Sequence, residues 1–192
     1  MKNSQIQKNI PSTWTEKRLE QVLKVGSGKD YKHLSTGKIP VFGTGGYMLS
    51  VDNYLYSGET VFVGRKGTID KPFYYKGKFW TVDTLFYTYD FKDTCAKYIN
   101  YVFKKINWIV YNEASGVPSL SKTTIEKIKF LFPPLPEQKR IVKVLEVWDK
   151  ATLKLEKKIE IKKNIKKGLM QRLLSGKKRL PGFSGAWKKV KL

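Results

Sequence analysis

Two cationic residues stand between two glycines in the segment Gly64–Gly67, directly after the β-branched and aromatic run Thr60–Val63. This pattern is typical of a tight turn that presents its side chains and several free backbone N–H groups to a ligand. An arginine can bind guanine O6 and N7 with two hydrogen bonds, and lysine or backbone N–H groups can bind phosphate. We therefore predict that Arg65, Lys66 and the nearby Thr68 contact nucleic acid. The alternative is a β-turn with incidental charge.

Three further segments carry candidate contacts of the same kind. In Gly43–Tyr47, glycine allows the backbone to approach a ligand closely. Ser115–Lys122 is a polar loop ahead of a helix predicted to begin near Ser121, and the N-terminus of that helix is expected to face a phosphate. The third segment is the basic stretch around His33. The candidate DNA contacts from these segments are Thr44, Gly45, Tyr47, Ser119, Ser121, Lys122, Lys29 and Tyr31.

No recognisable catalytic motif accompanies these residues in the sequence. There is no G-x-x-x-x-G-K-[ST] phosphate loop, and no Asn-Pro-Pro-aromatic or Asp-Pro-Pro-aromatic run of the kind that amino-methyltransferases use to hold a target base. His33 and Cys95 are the only histidine and cysteine, which excludes an internal disulfide and a histidine-based zinc site. We expect a binding protein that is not an enzyme and holds no metal and no cofactor of its own.

The charge of the chain favours a polyanionic partner. The 192 residues carry a formal charge of +22, and the 41% of hydrophobic residues are enough to form a core. No acidic residue follows Glu160, whereas a solvated helix usually mixes charges of both signs. The first ten residues are polar, and no stretch approaches the roughly 18 apolar residues of a membrane span. We expect no membrane association and a cytoplasmic location.

The residues up to about Phe132 are expected to form an α+β domain. Glycines separate short runs with strand composition, among them Ile39–Phe42, Phe73–Tyr75 and the long run Phe79–Tyr89. The spacing of apolar residues in Cys95–Tyr111 instead predicts one helix. This mixed α/β domain would present the candidate DNA contacts.

A long helix is predicted from Glu137 to Leu174, because Pro133, Pro134 and Pro136 interrupt the chain and no proline follows until Pro181. Its apolar residues are spaced 4-3-4-3-4, which is the seam of a coiled coil. This seam consists of Ile141, Leu145, Trp148, Thr152, Leu155 and Ile159. Beyond it, aliphatic residues recur at intervals of four, so that the stripe is expected to drift around the helix. A helix of roughly 55 Å needs a partner helix, and the chain offers no second one, which indicates another molecule.

The last residues resemble the first ones. Leu180, Pro181, Trp187 and Leu192 repeat the pattern of Ile10, Pro11, Trp14 and Leu19, either by chance or because a second unit begins here. The sequence therefore predicts three segments. They are a DNA-reading domain at 1–136, a spacer and dimerisation helix at 137–175, and a basic tail at 176–192.

Five motifs occur in an order that resembles the DNA-specificity subunits of type I restriction–modification systems. They are Ile39–Gly46 (IPVFGTGG), Val63–Thr68 (VGRKGT), Phe79–Thr84 (FWTVDT), Gly116–Ser121 (GVPSLS) and Pro133–Lys139 (PPLPEQK). The resemblance implies a target recognition domain followed by a long spacer helix, a pair that the family repeats within one chain. In that family the two domains read the two halves of a split site in double-stranded DNA. The spacer helices pack antiparallel and dock two methyltransferase subunits.

This sequence departs from the family pattern because it contains one such domain and one spacer helix. We therefore expect two copies to pair their helices antiparallel and to read an interrupted palindrome. The resemblance implies a partner methyltransferase that uses S-adenosylmethionine to methylate adenine, and it leaves open whether a restriction (translocase) subunit joins. Two alternatives remain at this point. One is a truncated or reserve specificity cassette without an assembly role, and the other is a general nucleic-acid-binding protein that uses the lysine-rich helix.

Overall fold

The computed structural model describes residues 11–185, which form eight strands and three α-helices. The strands are β1 Thr15–Arg18, β2 Lys24–Ser27, β3 Thr36–Gly43, β4 Gly46–Val51, β5 Tyr56–Gly64, β6 Phe73–Thr81, β7 Leu85–Tyr89 and β8 Lys129–Phe132. The helices are α1 Ala96–Lys105, α2 Lys122–Lys127 and α3 Leu135–Leu174, and 3₁₀ turns span Leu19–Gln21 and Trp108–Tyr111. The predicted α+β class, with a sheet domain followed by one long helix, is confirmed.

Six strands form the main sheet in the order β2-β7-β5-β6-β3-β4, and β1 pairs with β8 in a separate two-stranded ribbon. The neighbours are antiparallel except β3 and β6, which run parallel with Phe42 opposite Thr81. Because β3 and β6 are parallel, the turn that follows β3 lies at the same end of this strand pair as the turn that follows β6.

The main sheet is strongly curled. Phe62 pairs with Phe73 while Phe79 pairs with Tyr56, six residues away along the same strands, which corresponds to about 20 Å in a flat sheet. The rings of Phe62 and Phe79 are nevertheless only 4.8 Å apart between centroids. Directly opposed glycines in the middle of this hairpin, Gly58 with φ of 153° and Gly77 with φ of 141°, provide the backbone freedom for the curl.

The larger apolar core lies between the sheet and the helices. Ile99 and Phe103 of α1, Ile125 of α2 and Val61 of β5 are fully buried in it. The aromatic rings inside the curl form a second, smaller cluster that includes Phe62. The loops at the edge of the sheet are therefore connected to well-packed strands.

The prediction that Phe79–Tyr89 forms one continuous run of strand is wrong. Residues 82–84 form a turn in which the N–H of Leu85 donates to the carbonyl of Val82 at 3.0 Å. β6 therefore ends at Thr81, and β7 begins at Leu85. The aromatic and β-branched composition on both sides of the turn concealed the break.

The prediction of one helix across Cys95–Tyr111 is also wrong, because α1 ends at Lys105. Ile106 adopts an extended conformation with φ of −69° and ψ of 130°. The chain then turns Trp108 into the core, where its indole N–H donates to the carbonyl of Phe103 at 2.8 Å. Burial of this large side chain overrides the helical spacing, and it leaves Ile109 and Val110 exposed.

The helix after the prolines begins at Leu135, two residues earlier than predicted, with Pro136 in its first turn. Gln138 is fully buried there, and its side chain makes four hydrogen bonds. The donors to its Oε1 are Thr94 Oγ1 (2.8 Å) and the N–H of Cys95 (3.3 Å), and its Nε2 donates to the carbonyls of Asp93 (3.0 Å) and Pro133 (2.9 Å). Beside it, Glu137 accepts a hydrogen bond from the indole of Trp14 at 3.1 Å. These contacts attach the start of α3 to the domain.

The chain divides into two compact units, residues 1–143 and 144–192, so that the first turns of α3 belong to the first unit. In the second unit α3 continues to Leu174, and Gly176 follows with a left-handed φ of 71°, a conformation that commonly ends helices. The repeated pattern around Trp187 lies outside the described residues, as does Ile10. Within residues 11–185, no helix is both long enough and apolar enough to cross a membrane.

Candidate nucleic-acid interface

Arg65 and Lys66 directly follow β5, but the backbone of their loop is not free, contrary to the prediction. The N–H groups of Arg65 and Lys66 both donate to the carbonyl of Thr84, at 2.8 and 3.1 Å. The N–H of Gly67 donates to the carbonyl of Pro118 at 2.8 Å. These N–H groups therefore hold the loop against its neighbours, and its side chains remain to contact a ligand.

The loop before α2 is attached to the same place. The N–H of Leu120 donates to the carbonyl of Arg65 at 2.9 Å, and Lys66 forms an isolated antiparallel bridge with Ser119. Asn112 stabilises this loop from within, because its Oδ1 accepts the N–H groups of Ala114 at 3.1 Å and Ser119 at 2.9 Å. Three segments that are distant in sequence thus form one surface, which we call the loop cluster: residues 64–68, 82–84 and 112–121.

The N-terminus of α2 is already occupied by a carboxylate, which corrects the expectation that it faces a phosphate. Ser121 caps the helix by accepting the N–H of Thr124 at 3.1 Å, and its own hydroxyl donates to Glu113 Oε1 at 2.8 Å. The hydroxyl of Thr124 donates to the same oxygen. These hydrogen bonds lower the pKa of Glu113. The helix start near Ser121 is confirmed, but this hydroxyl stabilises the loop.

An open groove of about 460 Å³ lies beside the loop cluster. Four predicted contacts line it together with Lys71 and the rings of Phe42 and Phe73; they are Thr44, Gly45, Tyr47 and Thr68. Tyr47 is 62% exposed, and its hydroxyl lies 3.1 Å from the hydroxyl of Ser50. The groove therefore combines an apolar floor with hydroxyl groups and one cation, a lining suited to a base or sugar beside a phosphate.

The guanidinium of Arg65 is oriented by two contacts. Its Nη1 donates to the carbonyl of Asp83 at 3.3 Å, and its central carbon lies 6.0 Å from the ring centroid of Phe86. Among the ion pairs of residues 11–185, none involves Arg65 or Lys66. Both side chains are exposed, so their charges are available to an anionic ligand.

Lys29 and Tyr31 lie on a neighbouring part of the surface. The N–H of Lys29 donates to the carbonyl of Thr81 at 2.8 Å, and its own carbonyl accepts the indole N–H of Trp80 at 2.9 Å. The side chain of Lys29 is exposed, whereas Tyr31 is half-buried against the apolar cluster around Trp80. These bonds connect Lys29 to the end of β6, next to the turn whose carbonyls hold Arg65.

The structure thus brings Arg65, Lys66 and Ser119 together, and it places Thr68 beside the turn after β3. Sequence reasoning missed Lys71, because nothing in the spacing links this residue to Gly43–Tyr47. It also missed Asn112 and Glu113, although a short polar side chain is a common signal for a loop that bonds its own backbone. The DNA contacts stay predictions.

The side chains of the predicted seam on α3 are mostly uncovered. Trp148, Leu155 and Ile159 are 68%, 60% and 55% exposed. Ile141 differs from them, because it is half-buried and packs against the core of the first unit. Leu145 is half-buried as well, so the exposed part of the seam begins at Trp148.

Comparison with known proteins identifies one family. Residues 11–167 match the family model described as the type I restriction modification DNA specificity domain. The chain is 30% identical over 122 residues to the type I restriction enzyme MjaVIII specificity subunit of Methanocaldococcus jannaschii. The aligned residues make up 62% of this chain and 26% of that protein. A putative type I specificity subunit of Haemophilus influenzae is 24% identical over 115 residues, or 58% of this chain and 30% of that protein.

Solved structures share the fold. The S subunit of a type I restriction–modification system from M. genitalium superposes with a TM-score of 0.64 at 18% identity, over 87% of this chain and 47% of that one. A chain from a structural study of complex assembly and conformational transition of the type I R-M system superposes with a TM-score of 0.71 at 15% identity, over 87% of this chain and 46% of that one. The present chain thus spans about half the length of these structures and a smaller share of the relatives found by sequence.

Proposed function

Because the chain belongs to the type I restriction–modification DNA specificity family, we propose that it is a sequence-specific DNA-binding subunit without catalytic activity of its own. In this proposal the loop cluster and the adjoining groove read one half of a site in double-stranded DNA. The net charge of +22 supports this proposal, because DNA is a polyanion that attracts a strongly cationic protein.

The observation that carries the proposal is the way the loop cluster is held. Main-chain hydrogen bonds fix residues 64–67 against two other segments, so that the guanidinium of Arg65 and the ammonium of Lys66 project from a rigid base. A fixed arginine can discriminate guanine through O6 and N7, whereas a mobile one contacts mainly phosphate. Glycine at position 45, where an added Cβ would meet nothing within 4 Å, leaves space for a base edge beside the groove.

The partners in this proposal are a methyltransferase subunit and a second copy of the chain. The methyltransferase would bind S-adenosylmethionine and methylate adenine, while this chain binds no cofactor; the proposal holds with or without a restriction subunit in the complex. The exposed seam on α3 supports pairing with a second helix. An antiparallel pair relates two loop clusters by a two-fold axis, so that the pair would read an interrupted palindrome in the cytoplasm.

A second candidate function, general nucleic-acid binding, is favoured by one observation. The described part of α3 beyond Glu160 carries Lys and Arg but no acidic residue, as an electrostatic tether to phosphate would. This candidate requires no contact from the loop cluster. The two functions therefore predict different responses to DNA sequence.

The test is to select bound fragments from a random DNA pool with the chain alone and with its cognate methyltransferase, and to map methylated adenines in cells that carry both. We expect weak, salt-sensitive binding by the chain alone and a gapped, symmetric motif when the methyltransferase is present. Uniform affinity for all fragments with a steep salt dependence, and no motif, would instead establish the general nucleic-acid binder. Charge-neutral replacement of the exposed residues Lys167 and Arg172 serves as a control for tethering by the helix.

A further inference from the structure

The seam of α3 extends beyond Ile159 without a break in its spacing. Continuing the alternation of three and four residues from Ile159 leads to Lys162, Lys166, Leu169 and Leu173. Two of these core positions carry lysine, and the exposed aliphatic residues Ile161 and Ile165 directly precede them.

The two lysines lie in the seam in the structure as well. A groove of about 410 Å³ on α3 is lined by Leu155 and Ile159 together with four lysines, which are Lys158, Lys162, Lys163 and Lys166. Almost all of its lining is apolar, because the lysine stems face it. By the heptad spacing, Lys158 and Lys163 flank the seam, so a partner helix must accommodate the ammonium groups of Lys162 and Lys166 at core positions next to aliphatic side chains.

We propose that the occupant is a second copy of α3, antiparallel and centred on Lys157, so that Lys162 faces Thr152 and Lys166 faces Trp148 of the second copy. This inference rests on the dimer of the proposed function and adds to it a specific register. Lys162 and Lys166 are the residues that select this register.

The register follows from matching the seam positions. In an antiparallel pair centred on Lys157, residues whose numbers sum to 314 meet in one layer. The aliphatic residues then meet each other, Leu145 with Leu169 and Leu155 with Ile159. The remaining layers pair Lys162 with the hydroxyl of Thr152, and Lys166 with the exposed indole of Trp148 in a cation–π contact. No lysine is buried against an aliphatic side chain.

Other arrangements lack this match. A shift by one heptad toward the N-terminus places Lys162 against Leu145, and a shift toward the C-terminus places Lys166 against Leu155. A parallel pair in register would place each lysine against its own counterpart, which is repulsive. Uncompensated lysines at core positions are known to exclude registers in this way.

The flanking charges agree with the proposed register in part. Asp149 lies opposite Lys163 of the second copy, a pair of opposite sign. Flanking residues face each other on either side of the core, at sums of 312 on one side and 316 on the other. At the centre, Glu156 and Lys158 therefore each lie opposite their own counterparts, but these positions are on the rim, where water and salt weaken the repulsion. The core layers therefore determine the register.

Disulfide cross-linking tests this register, because a bridge requires Cα atoms about 4.4–6.8 Å apart. Chains carrying Thr152→Cys are mixed with chains carrying Lys162→Cys and oxidised. The matched control mixes Thr152→Cys with Leu169→Cys, whose cysteines would meet only after a shift of one heptad, or about 10 Å. The wild-type chain, which contains Cys95 alone, controls for other disulfides.

We expect a cross-linked dimer from the 152/162 mixture and none from the 152/169 mixture. Cross-linking in the 152/169 mixture would overturn the register. So would a chain that is a dimer by light scattering but forms no cross-link in either mixture. A monomer at micromolar concentration would overturn self-pairing as well, while DNA selection separately decides the proposed function.

The role of the two lysines is tested by removing their charges. The 152/169 mixture is repeated in chains that also carry Lys162→Leu and Lys166→Leu, where the shifted register no longer places an ammonium group against an aliphatic side chain. We expect the shifted pair to cross-link in this background, because several registers then become acceptable. A mixture of Leu145→Cys and Leu169→Cys chains in the same background reports the original register. If that mixture cross-links while the 152/169 mixture still does not, residues other than these lysines select the register.

Discussion

Replacement of Gln138 by leucine is expected to destabilise the domain far more than a single polar residue on a helix normally would. The side chain is fully buried, and its four hydrogen bonds connect α3 to the segment before α1. Leucine leaves the buried hydroxyl of Thr94 and the buried carbonyl of Pro133 without a partner, at about 1–3 kcal/mol each. Asp93 is exposed, so that its carbonyl can bind water instead. We expect the free energy of unfolding to fall by about 3–4 kcal/mol.

Urea unfolding followed by tryptophan fluorescence measures this change. A loss of this size lowers the midpoint by roughly 2 M for a domain of this length. Gln171→Leu is the matched control, because Gln171 lies on the same helix and is exposed. Gln138→Glu gives a further check: it loses the donor to Asp93 and Pro133, and the variant should regain stability as the pH falls and its carboxyl group becomes a donor. Equal midpoints for Gln138→Leu and Gln171→Leu would refute the reasoning.

The loop cluster and the helix support three other predictions. Arg65→Ala should weaken binding to the preferred DNA by about 1–3 kcal/mol and relax the preference at one base pair; an equal loss for all sequences in a gel-shift assay would make Arg65 a phosphate contact. The lowered pKa of Glu113 means that its stabilising contribution is present above about pH 4.5, its ordinary value, and is lost as the pH falls through the lower folded value. Hydrogen exchange at Ser121 and Thr124 should therefore be slower in the wild type than in Glu113→Gln at about pH 7, and the difference should shrink as the pH falls below about 4.5. Leu155→Asp places a charge in the seam and should shift sedimentation from dimer to monomer, whereas an unchanged dimer would show that the seam is misplaced.

Local signals predicted the parts of the fold that local chemistry decides. Three prolines around the start of α3 indicated where that helix begins, and Ser121 indicated the start of α2, because a cap and a proline act on their own backbone neighbours. The resemblance to the specificity family is likewise confirmed, because the family model matches residues 11–167 and all five motifs lie within that range.

Contacts distant in sequence decided the parts that were missed. The helix at 96–105 ends at Lys105 because Trp108 is buried in the core. The strand predicted through Val82 is interrupted by a turn, because the carbonyl of Thr84 accepts two N–H groups from another loop. The candidate site shows the same limit. The pattern around Arg65 identified a cationic turn, but only the fold reveals that its N–H groups are already bonded and that Lys71 lies beside Thr44.

The backbone bonding of the loop cluster has an evolutionary consequence. Its segments are joined mainly through carbonyl groups, which every residue supplies, and N–H groups, which every residue except proline supplies; of the side chains at positions 65, 66 and 68, that of Arg65 adds one hydrogen bond, to the carbonyl of Asp83. Those side chains can therefore be exchanged without dismantling the scaffold that displays them. Under the proposed function, new target sequences become accessible by single substitutions, while the frame that presents them is inherited unchanged.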